Sequence, residues 1–353
     1  MTKKVLLGAA GVAIALLISA SIALAQDAKT LLSTKTDKAP AMNGTMDDAW
    51  SKAKPLQVEL SKFPYEPKTY KGIKKATVAL RSLYDGENIY LLAQWDDPTK
   101  SFERAPWVKQ ADGTWKMLKL LDETDHDNTY YEDKMAMLWD INTQGFEQRG
   151  CAAVCHKARG GKNAGFEDKS PGRKFTNKPG ETVDMWHWKS VRNGPVGQVD
   201  DQYIDDTHDP SKNEDWGRKG NDKTGGGYSN NVGADKKGPA FMNKTPSAEN
   251  KYWVLDDQKV PFVDSFKAGD VVGSIVVAPF TGPRGNISAQ GRWDNGKWTL
   301  AMKRSLVTSG ANAKAQDVQF ADLKKTYYFG VAVFDNTQIN HAYHDGSYKL
   351  MFK

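Results

Sequence analysis

Short runs in which apolar and polar residues alternate, separated by turn-forming residues, recur from about Ala39 to the C-terminus. After a turn-rich approach around Trp50, Leu56–Leu60 predicts a strand. In Lys74–Asp97, Val78 and Leu80 share a face, Asp85-Gly86 makes a turn, and Ile89, Leu91 and Ala93 follow. That pattern predicts a β-hairpin. Lys134–Ile141 reads as a buried strand, and the alternation returns in Asp270–Phe280, Gly285–Leu306 and Thr326–Asn336. Asn295-Gly296 supplies a second hairpin turn. Val318–Tyr328 suggests one helical turn; no internal repeat and no heptad appears.

Residues 142–250 break this pattern, being rich in Gly, Asn, Asp, Lys and Pro with little apolar periodicity. A structureless loop of that length is unusual in a compact domain, so the segment reads as a loop-rich insertion carrying function. Within it, Asp184–Arg192 (DMWHWKSVR) is expected as a short helix or turn. Strands on both sides with no regular helix between them predict a mostly β chain, a single antiparallel β-sandwich.

The first residues set the compartment. Lys3 and Lys4 precede an almost wholly apolar run, Val5–Leu24, and Ala-Leu-Ala follows before Gln26. This is the pattern of a cleavable signal peptide over 1–25, cut near Ala25. The expectation is an exported, periplasmic mature chain over 26–353 without a membrane span. The formal charge of +6 is spread along the sequence rather than gathered, which argues against a nucleic-acid partner.

Both cysteines of the chain lie in GCAAVCHKARGG, Gly150–Gly161, with His156 directly after Cys155. The spacing is C-x-x-x-C-H, one residue longer than the usual c-type haem signature. On a helical turn, Cys151 and Cys155 fall on one face, Ala152 and Ala153 permit close approach of a flat macrocycle, and His156 could ligate its iron. Two alternatives stand beside covalent haem. A Cys151–Cys155 disulfide suits an oxidising compartment but leaves His156 without a role. A zinc site needs four ligands, and only three are at hand. Elsewhere, His341 and His344 stand three apart after a strong strand, His187 lies between Trp186 and Trp188, and His126 and His208 sit in acidic loops.

Taken with NGTMDDAW (Asn43–Trp50), YDGENIYLLAQWDDP (Tyr84–Pro98), the Trp-His-Trp block, RGNISAQGRW and HAYH, these residues resemble the ethylbenzene-dehydrogenase-related haem-binding family. That family is also described as cytochrome c-552/DMSO-reductase-type haem-binding domains. The resemblance implies a β-sandwich related to DOMON-type cytochrome domains, holding one haem and moving single electrons rather than acting as an enzyme. A redox partner protein is implied, a molybdenum oxidoreductase among the possibilities. Family subunits hold haem b between a Met and a Lys. Here Phe175 stands where a Met-Gly element is expected, and Met185 does not align convincingly. The Lys matches Lys349. Cys151, Cys155 and His156 instead favour c-type attachment, with b-type as the other form. His156 is then the proximal ligand, and the distal ligand is His344, His341 or Lys349. Trp186 and Trp188 are expected as pocket walls, and Lys189 and Arg192 as partners for the haem propionates.

The competing reading is a non-haem module. The Asn43–Trp50 start is also similar to carbohydrate-binding β-sandwich domains, which stack sugars on exposed tryptophans. In that case the cysteines form a disulfide. No G-x-S-x-G or zinc-protease motif supports a hydrolase.

Overall fold

The computed structural model describes residues 27–353 apart from 66–67, 69, 156–161, 164–165 and 168–171. The expected signal peptide, 1–25, therefore lies outside the described residues. A 13-stranded sheet organises the chain. Its strands are β1 (Thr30–Lys35), β2 (Leu56–Leu60), β3 (Ala76–Tyr84), β4 (Asn88–Asp96), β5 (Lys134–Asp140), β6 (Val183–Lys189) and β7 (Asp200–Ile204). They continue with β8 (Arg218–Gly220), β9 (Ser288–Asp294), β10 (Lys297–Ser305), β11 (Tyr327–Phe334), β12 (Ala342–Tyr343) and β13 (Tyr348–Phe352). The order across the sheet is β8-β7-β6-β5-β11-β13-β1-β3-β4-β10-β9, with β2 beside β3 and β12 beside β11.

Both expected hairpins form. The Asp85 carboxylate accepts the backbone N–H groups of Glu87 and Asn88 at 3.0 and 2.8 Å, closing the β3–β4 turn. Asn295 and Gly296 both take positive φ, 49° and 76°, as the β9–β10 turn requires. The sheet folds back on itself, so its two halves form the layers of a sandwich. Trp188 of β6 meets Trp298 of β10 edge-on at 5.0 Å and Trp95 of β4 at 6.4 Å. Met137, Trp139, Val331 and Val333 pack in the same core as Val78, Leu91, Leu300 and Met302. Burial of each such side chain is worth about 1.5–3 kcal/mol.

Three details correct the sequence reading. β1 runs parallel to both β13 and β3, so the sandwich is not wholly antiparallel. Residues 142–250, expected as a loop-rich insertion, supply β6, β7 and β8, which continue the main sheet past β5. Asp184–Lys189 is neither helix nor turn; it lies in β6, where every residue is buried. A strand covered on both faces loses the polar–apolar alternation that marks a half-exposed one. Among the described residues, no helix is long and apolar enough to cross a membrane.

Candidate functional site

Strand geometry gives β5, β6 and β11 two distinct faces. Met135, Met137 and Trp139 point into the sandwich core, as do Trp186 and Trp188. Ala136 and Leu138 of β5, Val183 and Met185 of β6, and Ala332 and Phe334 of β11 point the other way. That outer face is covered by the segment holding both cysteines. A helical turn, Phe146–Arg149, leads through Gly150 into a 3-10 turn, Cys151–Ala153. The segment is tied down by Tyr328 Oη, which donates to the Glu147 carboxylate at 2.6 Å, and by a bridge between Gly150 and Gly346. Gly150 has φ 55°, and a Cβ there would fall 1.9 Å from the Gly346 carbonyl oxygen, so only glycine fits.

Between this cover and the sheet lies an apolar cleft of about 20 Å³, lined by Ala136, Leu138, Cys151, Cys155, Lys174, Met185, Ala332, Phe334, His341 and Tyr343. It is narrow, with room for about one water molecule between its walls. The small side chains of Ala136 and Ala332, paired directly across β5 and β11, make its floor. Cys151 and Cys155 are buried thiols with no disulfide between them. The Cys155 N–H donates to the Cys151 carbonyl at 2.8 Å, so both follow one turn as the spacing predicts. Burial pushes the Cys151 thiol well above its ordinary pKa, with the Cys155 sulfur adding to the shift.

His156 lies outside the described residues, so the structure places only the turn that precedes it. Of the distal candidates, His341 lines the cleft, with its ring 4.7 Å from that of Phe334 and its Nδ1 2.8 Å from the Ile339 carbonyl. A histidine whose Nδ1 donates to a carbonyl holds its Nε2 as the lone-pair nitrogen, the usual arrangement of a metal ligand. His344 is engaged elsewhere: its Nε2 accepts the Val331 backbone N–H at 3.0 Å. Lys349 is half exposed and pairs with Asp27 at 3.2 Å, away from the cleft. Trp186 and Trp188 belong to the sandwich core on the opposite face of β6 and do not wall this cleft. Lys189 and Arg192 are already paired, with buried Asp200 and buried Glu132 respectively, so neither offers its charge to a propionate here.

Sequence reasoning set Met185 aside and did not consider Lys174, yet both line the cleft. The signal for Met185 is available in hindsight, since it alternates with the core residues Asp184 and Trp186. His187 shares its face. Its Nδ1 lies 3.3 Å from Gln202 Oε1, while its buried Nε2 has no hydrogen-bond partner. Burial and the nearby Lys189 and Lys134 charges hold His187 neutral, well below the usual imidazole range.

A family model described as ethylbenzene dehydrogenase matches residues 47–346. The chain belongs to the ethylbenzene dehydrogenase family. The matched span contains every residue that lines the cleft. No curated protein matches the sequence. Among solved structures, the fold is similar to a family 9 carbohydrate-binding module from Caldicellulosiruptor kristjanssonii. The complex with glucose is 8% identical, with TM-score 0.34, covering 92% of this chain and 96% of that one. The complex with cellotriose is 11% identical, with TM-score 0.32, covering 92% and 95%. Likenesses this distant carry no argument about what this member of the ethylbenzene dehydrogenase family binds.

Proposed function

We propose that this chain is an exported haem protein that transfers single electrons to and from a redox partner, with haem held in the cleft beneath the Cys151–Cys155 turn. The observation that carries this reading is the convergence, in a member of the ethylbenzene dehydrogenase family, of two thiols, a thioether and an imidazole on one apolar cleft. The residues suit the group chemically. The floor of Ala136 and Ala332 carries no bulky side chain against a flat ring, and the orphaned His187 Nε2 on the same face marks a polar group still to be satisfied. The cleft must widen for a macrocycle to enter.

Cys151 and Cys155 would each add S–H across one vinyl group, the sulfur to one carbon and the hydrogen to the other, with no net oxidation. His156, directly after Cys155, would be the proximal ligand. His341 is the distal candidate that lines the cleft, and Met185 is its competitor there. When bound, haem would supply a reversible one-electron change at iron, with His156 and either His341 or Met185 to hold it. The chain's own contribution is exclusion of water by Leu138, Phe334 and Tyr343 and fixed ligand orientation.

The carbohydrate-binding alternative depends on exposed tryptophans. Nine of the eleven tryptophans are buried, and Trp253 and Trp293 are half buried. None offers an open stacking platform.

The test is a haem stain on a denaturing gel with a pyridine haemochrome spectrum, on protein exported from a host that attaches haem c. The expected result is haem that stays with the denatured chain and is lost in the Cys151→Ala/Cys155→Ala variant. Loss of a sulfur-to-iron charge-transfer band in Met185→Leu would assign Met185 as distal ligand; a spectrum changed only by His341→Ala would assign His341. A colourless native protein overturns the reading.

A further inference from the structure

The reverse face of β6 and β7 carries a second polar cluster, far less satisfied than the ion pairs beside the cleft. Asp184, Asp201 and Asp317 are all buried, and one oxygen from each lies within 4.8 Å of the others. Two oxygens that share one calcium ion at about 2.3–2.6 Å can be no more than about 5 Å apart. The carboxylates are not held together by hydrogen bonds. Asp184 Oδ2 is well served, accepting from Trp186 Nε1, Arg304 Nη1 and the Val318 N–H at 3.0 Å each. Its Oδ1 has no partner, and neither oxygen of Asp201 has one. Asn221 is an independent sign of a missing ligand. Its side chain is 3% exposed, its Nδ2 donates to Asp317 Oδ1, and its Oδ1 accepts nothing.

A buried carboxylate with both oxygens unserved is costly unless a proton or a cation meets it. Arg304 is the one buried cation that pairs with the cluster among the described residues, and it contacts Asp184 alone of the three. Three carboxylates against one guanidinium leave two negative charges, the complement of one divalent ion. The donors are all oxygens, from carboxylates and an amide, without nitrogen or sulfur, which selects calcium over zinc. Magnesium, which keeps several waters, suits so enclosed a site less well. A surface cleft lined by Arg304 and by Thr308, the residue whose hydroxyl donates to Asp317, provides an approach from solvent.

We propose that Asp184, Asp201 and Asp317, together with Asn221, bind one structural Ca²⁺ that fastens β6 and β7 to the segment around Asp317. The site is independent of the haem reading, since it lies on the opposite face of β6 from Met185. Mature full-length protein is stripped with EGTA and titrated with Ca²⁺ alone, followed by calorimetry and thermal unfolding. The expected result is about one Ca²⁺ per chain and a fall in unfolding midpoint of about 5 °C or more on stripping. Ca²⁺ should restore the midpoint, and Mg²⁺ at the same concentration should not. Tb³⁺ used in place of Ca²⁺ should emit on tryptophan excitation, because the Trp186 indole is hydrogen-bonded to Asp184. Asp201→Asn should abolish binding. Asn221→Ala, a milder change in case the first variant fails to fold, should weaken it at least tenfold. A midpoint indifferent to EGTA and Ca²⁺ overturns the proposal. So does a Ca²⁺ response that survives Asn221→Ala unchanged and disappears in Asp97→Asn, which would place the ion at the other buried carboxylate group, Asp97, Asp133 and Asp335.

Discussion

Gly330 and Cys151 fit each other with no slack. A Cβ on Gly330 would stand 2.3 Å from Cys151 Sγ, so the strand can carry no side chain beneath the thiol. Gly330→Ala should therefore destabilise the fold by about 1–3 kcal/mol, as overpacking does. Adding Cys151→Ala should recover most of that loss, because it removes the clashing sulfur. Urea unfolding of the four members of the cycle measures the coupling, and simple additivity would refute the contact. His344 makes a different kind of residue-level prediction. Burial, with Lys29 adding to it, depresses its pKa to about 4, against partial compensation from Asp345. The unfolded chain takes up a proton near 6.5 while the folded one does not, so this contribution is complete above pH 6.5. It declines as pH falls toward 4, by up to about 3 kcal/mol. Replacing His344 with Asn should flatten the stability profile between those pH values relative to the wild type. A profile of unchanged slope would assign the acid sensitivity to other groups.

At the scale of elements, β6 carries both the face of the proposed site and the residues least readable from sequence. The hairpins β3–β4 and β9–β10 were legible because one face alternates and the turns need Asp-Gly and Asn-Gly. β6 was not, since both its faces are covered and polar residues serve both interiors. Asp184 turns toward the carboxylate cluster, while His187 and Lys189 turn toward the outer face. The Cys151–Cys155 turn was legible from spacing alone; the wall opposite it was not, because Met185 comes from β6 and His341 from the residue before β12, segments distant in sequence. Trp186 and Trp188, expected as pocket walls, stand in the sandwich core on the face of β6 opposite Met185. The buried Lys189–Asp200–Arg284 group locks β6 to β7 and to the Pro283–Gly285 turn. Asp200→Asn should cost about 3–5 kcal/mol, because it strands two cations whose shared carboxylate partner is lost. A shift in urea midpoint at constant slope checks this. A loss below about 1 kcal/mol would mean that solvent reaches the group and screens it.

Across the whole molecule, the sheet keeps the core between its layers apart from the apolar interiors on its outer faces, one of which lies under the cysteine turn. The core between the layers joins residues from both halves of the sheet, whereas the interior under the cysteine turn draws only on the outer face and its cover. Folding can thus be completed by the first interior while the second stays available for a ligand. This separation predicts opposite consequences for substitutions only a strand's thickness apart. Ala332→Leu fills the cleft floor without entering the sandwich core, so it should abolish haem incorporation and move the unfolding midpoint of the haem-free protein by no more than about 5 °C. Val331→Ala, one residue earlier and facing the other way, should lower stability by about 2–3 kcal/mol while the purified protein keeps its haem absorbance per chain. Haem content measured beside the melting curve of each variant separates the two interiors. If Ala332→Leu retains its haem, the group is bound elsewhere and the cleft beneath Cys151 and Cys155 is only a minor core.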